Sequence, residues 1–144
     1  MMFIVCSESL ASSALVAAFP TAYVLQMLAS AADDLDVATR ATLEHGLASG
    51  VRHLVVCGHH GCRASPGEGT PQESQGRVVQ RCRALHADEH LGPMLRRAGV
   101  TMRALWLDEP CHELYACSFE GLEARCMAEA DLAAMFRSFD ELSA

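Results

Sequence analysis

Apolar residues in this chain fall into short runs, and the runs set the expected elements. Met2–Cys6 (MFIVC) is apolar on both faces, which predicts a short buried strand. Residues 7–20 are small and polar at first and lead through Pro20 into a second apolar run at 22–28, where tyrosine and valine favour a strand. Asp33 or Asp34 then supplies a helix cap, with Leu35, Ala38, Leu43 and Leu47 on one helical face and Gly50 as the stop. Residues 53–57 form the next strand. Residues 65–76 (SPGEGTPQESQG) read as a surface loop, and 77–98 read as helix broken near Gly92-Pro93. A strand over 100–107 turns through DEPCH into a hairpin partner over 113–119, and 128–139 reads as a closing amphipathic helix. Alternation of strand and helix predicts an α/β fold, a mainly parallel β-sheet covered by helices with a C-terminal hairpin strand. In such sheets ligands bind beyond the carboxyl ends of the strands.

Composition narrows the functional classes. A chain of 144 residues fits one domain, 1–144, with a core large enough to stand without disulfide staples. Net charge is −7 and all eleven basic residues are arginines, scattered along the chain, so neither a nucleic-acid surface nor a polybasic membrane anchor is expected. No apolar run approaches the ~20 residues of a membrane span. The opening residues carry no basic charge, and Glu8 and Pro20 interrupt them, which argues against a cleaved signal. Seven cysteines, an odd number, fit cytoplasmic thiols or metal ligands better than a disulfide framework.

Two of those cysteines end apolar runs. The first run closes on Cys6, and the second passes through Gly58 into His59-His60-Gly61-Cys62. His59 and Cys62 have His-x-x-Cys spacing, which sets a nitrogen and a sulfur on one turn, close enough to grip a single ion. Cys6 is the candidate third ligand, because its strand should lie beside the second. Two thiolates and an imidazole suit Zn²⁺, and catalytic zinc commonly keeps three protein ligands and an open fourth position. Glycines at 58 and 61 are expected to let the backbone turn around the ion. Cys57 reads as a core residue, Cys82 and Cys126 pack or face solvent on helices, and Cys111-His112 is a weak second cluster.

The two motifs, Cys6-Ser7-Glu8-Ser9-Leu10 and Gly58-His59-His60-Gly61-Cys62, resemble those of the β-class carbonic anhydrases, Cys-x-Asp-Ser-Arg and Gly-His-x-x-Cys. The likeness extends through ATLEHGLASGVRHLVVCGHHGCRA and RALWLDEPCHELYACSF, and so over most of the chain. It implies zinc held by Cys6, His59 and Cys62. It also implies reversible hydration of carbon dioxide to bicarbonate by zinc-bound hydroxide, and a homodimer or higher homo-oligomer.

The chain departs from that family at the chemistry. The family's aspartate, which orients the zinc-bound water, is Glu8 here, and the arginine that holds it off the metal is Leu10. Gln26 stands where the family has an arginine after its second strand. Arg63 is a candidate to reach Glu8, with a plain surface arginine as the alternative, and His60 is a candidate proton shuttle, with a solvated loop histidine as the alternative. Glu8 is therefore either the catalytic carboxylate or a fourth ligand that closes the site. The corresponding functions are a carbonic-anhydrase-like lyase, a hydrolase of a related small molecule such as carbonyl sulfide or carbon disulfide, or a non-catalytic zinc-binding or regulatory protein.

Overall fold

The computed structural model of the chain describes residues 1–9, 11–28, 35–63, 70–119 and 124–127. At its centre lie β1 (Met2–Cys6), buried at all five positions, and β3 (His53–His59), paired parallel with Met2 opposite Leu54 and Val5 opposite Cys57. β2 (Tyr23–Met27) lies parallel on the far side of β1, with Cys6 opposite Met27. β4 (Thr101–Asp108) continues the parallel set beside β3, and β5 (Glu113–Cys117) turns back against it, Trp106 facing Tyr115. A further antiparallel strand, β6 (Ala124–Met127), gives the order β2-β1-β3-β4-β5-β6. The mainly parallel α/β sheet with a late hairpin is the architecture that the alternation predicts. Cys126 belongs to β6, where a helix was expected, and the helix expected over 128–139 lies outside the described residues.

Side chains alternate across the sheet and build two cores. Ile4, Val56 and Trp106 meet Val78, Cys82 and Leu85 in one, while Phe3, Val5, Val55 and Leu105 meet Leu15 and Phe19 in the other. The helices start where local chemistry caps them. α1 (Ala11–Ala18) was not expected, since its small residues make no amphipathic stripe; alanine propensity and packing of Leu15 explain it. α2 (Val37–Ala48) is capped by Asp36, whose carboxylate accepts from Thr39 N at 2.7 Å, two or three residues later than the aspartates expected to do so.

α3 (Pro71–Ala87) begins inside the stretch read as loop. Thr70 and Glu73 form a reciprocal capping box with Pro71 in the first turn, so residues that look like breakers are a start signal. The break before α4 (Leu91–Arg97) falls at Asp88, whose carboxylate accepts from His90 N and Leu91 N at 2.9 and 2.8 Å. Gly92-Pro93 sits within the first turn of α4, where proline's missing N–H costs nothing.

Gly58 brings α3 down onto the sheet. A Cβ built there would lie 2.3 Å from Val78 Cγ2 and 3.4 Å from Trp106 Cδ1, so its role is close packing of helix on strand. Gly61 (φ 65°) is the residue that makes the left-handed turn. Gly58→Ala should destabilise the fold by about 1–3 kcal/mol through overpacking against the stiff Val78; thermal melts of the reduced protein measure it, and an unchanged Tm would refute it.

His53, 6% exposed at the opposite end of β3, has its pKa held below the usual 6.5 by burial, then by the Met1 amino group and Arg103. The unfolded chain therefore takes up a proton at His53 before the folded chain does. Its contribution is complete above about pH 6.5 and is lost as pH falls below that value. Melts of metal-free protein between pH 8 and 5 should show a decline that His53→Asn reduces.

Candidate metal centre

β1 and β3 end side by side, and their ends carry the donors. Cys6 is the last residue of β1 and His59 the last of β3. The turn at Gly61 then swings Cys62 back over the strand ends. One ligand atom from each of Cys6, Glu8, His59 and Cys62 lies within 4.8 Å of the others, and this is the single such group among the described residues. Cys6 and His59 are buried; Glu8 and Cys62 are half-buried.

Two features test whether these residues fit a zinc ion. The Cys6 and Cys62 Sγ atoms are 3.6 Å apart. That is far beyond the ~2.05 Å of a disulfide, and close to the ~3.8 Å that two Zn–S bonds of 2.3 Å span at a tetrahedral angle. His59 has both ring nitrogens buried without a hydrogen-bond partner. Such orphaned polar atoms are costly unless something outside the protein satisfies them. The residues therefore fit the ion.

A carboxylate that the sequence does not reveal stands behind the imidazole. Glu109 Oε1 lies 3.6 Å from His59 Nδ1 and accepts a hydrogen bond from Ser9 Oγ at 3.0 Å. At that distance the carboxylate faces Nδ1 without hydrogen-bonding it, and a small approach would give the carboxylate–histidine–metal order that orients ligating imidazoles, with Nε2 as the nitrogen for a metal. A second support fixes the backbone. Trp106 Nε1 donates to Ser74 Oγ at 3.0 Å, and Ser74 Oγ contacts the His59 carbonyl at 3.5 Å. Ser9, Ser74 and the Trp106–Glu109 stretch come from three different segments, and only their residue types could have flagged them.

Glu8 is held by Arg63. Its Oε2 accepts from the Arg63 backbone N–H at 2.9 Å, and its Oε1 lies 3.4 Å from Arg63 Nε. The Arg63 side chain is 86% exposed, so the guanidinium pair is a weak surface contact and the amide is the firmer hold. Arg63 is thus both of the things the sequence allowed, a surface arginine and a partner of Glu8. Leu10 lies outside the described residues.

The other expected residues fall as follows. His60 is exposed, anchored by its N–H to Leu107 O at 2.9 Å, with its ring edge-on to Trp106 at 6.1 Å. Gln26 is exposed on β2 opposite Val5 and outside the donor group. Cys111 and His112 are exposed in the β4–β5 turn. Burial pushes the Cys57 and Cys82 thiols up to about 12 and Cys117 to about 11, so these three stay protonated and inert near neutral pH.

With this geometry the chain has the fold of the β-carbonic anhydrases. The β-carbonic anhydrase CcaA superposes with a TM-score of 0.70 at 14% identity, over 88% of this chain and 82% of its own. A tetrameric β-carbonic anhydrase from Sordaria macrospora gives 0.64 at 17% identity, over 88% and 81%. CafD of Aspergillus fumigatus gives 0.57 at 20% identity, over 80% and 86%. No protein-family profile and no curated protein matches the sequence. No helix among the described residues is long and apolar enough to cross a membrane.

Glu109→Ala should weaken zinc binding about 10- to 100-fold, as loss of a carboxylate behind a ligating histidine does elsewhere. Glu109→Gln, which keeps an acceptor oxygen, should lose less. Competition with a chromophoric chelator measures both, with far-ultraviolet circular dichroism confirming the fold; equal affinities in all three proteins would dismiss the role.

Proposed function

We propose that this protein is a zinc enzyme of the β-carbonic anhydrase type that interconverts carbon dioxide and bicarbonate. The observation that carries the reading is the donor group itself: two thiol sulfurs 3.6 Å apart beside a buried histidine with both nitrogens unsatisfied, at the carboxyl ends of parallel strands. Zinc in such a site supplies an acidified water as a nucleophile near neutral pH. Cys6, His59 and Cys62 hold the ion, and Glu109 steadies the imidazole. Glu8, drawn toward Arg63, would accept a hydrogen bond from that water and orient it. The Arg63 amide does for Glu8 what an arginine does for the shorter carboxylate in the family. Reduced thiols are required, which suits the cytoplasm. The β2 edge, with Tyr23 43% and Leu28 68% exposed, offers a surface for self-association, and the Sordaria macrospora relative in fold is a tetramer.

One observation favours a second reading, a non-catalytic zinc protein. A Glu8 carboxylate oxygen lies within the same 4.8 Å group as the three ligands, near enough to take the fourth position itself. Stopped-flow hydration assays on protein of measured zinc content separate the two. For the enzyme, about one zinc per chain accompanies turnover, and Glu8→Ala keeps the zinc while losing about 100-fold in kcat/KM, the scale of a positioned proton acceptor. For the closed site, wild type is inactive and Glu8→Ala binds zinc more weakly. Absence of zinc from freshly purified, reduced protein overturns both.

A further inference from the structure

The two sulfurs that would hold a metal also face each other directly. Cys6 and Cys62 are unbridged, with their Sγ atoms in contact at 3.6 Å. A disulfide needs about 2.05 Å, so one sulfur has to move by about 1.5 Å. The backbone shows which one moves. Cys6 is pinned: it ends a buried strand, its carbonyl accepts from Ser9 N at 3.0 Å, and the N–H of Ser7 donates to Met27 O at 2.9 Å. Cys62 is half-buried and follows Gly61, at φ 65°, outside any strand or helix.

The segments that carry the two sulfurs are already tied together close by. Glu8, two residues after Cys6, accepts from the N–H of Arg63, the residue after Cys62, at 2.9 Å. That bond, with the strand pairing, closes the span of 56 positions between the thiols before either sulfur reacts. The entropy of bringing them together is lost in folding, so an oxidised first thiol meets the second as an intramolecular neighbour.

Other described cysteines compete poorly. Cys57, Cys82 and Cys117 lie among apolar side chains, and with their thiols pushed up to about 12, 12 and 11 they form little of the reactive thiolate. Cys111 is exposed, but Asp108 beside it pushes its thiol up as well. Cys6 and Cys62, in contrast, both line the cavity under α3, whose other wall carries Val78 and Arg81. That cavity gives a small uncharged oxidant a place beside the pair. Of the two, Cys62 is the more exposed and therefore the one attacked first.

We propose that Cys6 and Cys62 form a reversible oxidation site for hydrogen peroxide, closing to a disulfide that excludes the metal. The Cys62 sulfur attacks one peroxide oxygen, the O–O bond breaks, and the departing hydroxide becomes water with the proton that the thiol gives up. The Cys6 sulfur then attacks the sulfenic acid on Cys62; the S–S bond forms, the S–O bond breaks, and a second water leaves with the Cys6 proton. Two electrons pass from the sulfur pair to the peroxide. A dithiol reverses the bond by exchange. Thiolate is the form that ligates zinc, so the bridge and the ion are alternatives. The consequence for a metal rests on the reading of the site as a zinc centre; the bond itself does not.

Peroxide treatment of the reduced, zinc-free full chain, followed by mass spectrometry and thiol counting in denaturant, tests this. The product should be two hydrogens lighter, lack two of its seven thiols and yield peptides linked through Cys6 and Cys62. Its zinc affinity, read with a chromophoric chelator, should fall about 100-fold or more and return with dithiothreitol, since the bridge removes two ligand thiolates. Zinc-loaded protein should release its ion as the bridge forms, more slowly than zinc-free protein oxidises. Cys6→Ser should stop at a sulfenic acid on Cys62 that dimedone traps, and Cys111→Ser should form the bridge like the parent. If Cys6→Ser does not fold, the linked peptides of the parent decide. Survival of all seven thiols, a bridge to any other cysteine, or oxidation that dithiothreitol does not reverse overturns the proposal. Zinc uptake without the bridge overturns it while sparing the metal reading. A bridge in a chain that takes up no zinc when reduced sustains the oxidation site and overturns the metal reading.

Discussion

Everything at the functional end of this protein depends on β1 and β3 lying parallel and level. The register Met2–Leu54 through Val5–Cys57 leaves Cys6 and the Gly58–Cys62 segment protruding from the same edge of the sheet, although the two thiols are 56 residues apart in the chain. A slip of one residue would turn Cys6 to the other face of the sheet and dissolve the donor group. Two features hold that register. Both strands are buried on both sides, and α3 sits hard against β3 where Gly58 has no side chain. Core packing is therefore what sets the sulfur and nitrogen atoms side by side at the strand ends.

The strands were legible because fully buried parallel strands are short apolar runs, and Met2–Cys6 shows it without ambiguity. The helix starts were less so. Thr70-Pro71 looks like a loop and is a capping box, and Asp36 outcompetes earlier aspartates because its carboxylate meets the Thr39 amide. β6 pairs back on β5 as a second antiparallel hairpin, and its four residues are too few and too mixed to announce a strand. Gly58 looks in the sequence like a turn residue beside the ion, and its neighbours make it a packing glycine.

The same division runs through the site. Cys6, His59 and Cys62 stand out in the sequence because thiols and imidazoles at strand ends have few other uses. Glu109, Ser9, Ser74 and Arg81 do not stand out, since each is an ordinary polar residue until the fold sets it against a donor or a cavity. The exchange at Glu8 is instructive. The sequence shows the loss of an arginine side chain at position 10, but a backbone N–H at position 63 is invisible to any reading of residue types. A main-chain donor has no side chain to lose, so the hold on Glu8 survives substitution of Arg63 by any residue except proline.

Trp106 is the only tryptophan in the chain. Its indole N–H is tied to Ser74, which in turn touches the His59 carbonyl, and its ring meets the edges of His60 and Tyr115. The chromophore is buried to 1% exposure, so solvent contributes little to its emission. What remains variable around it is the strength of that one hydrogen bond and the position of the His59–His60 backbone. The molecule thus carries a built-in optical gauge, wired by two contacts to the segment that bears the donors, which registers displacement of that segment without any label.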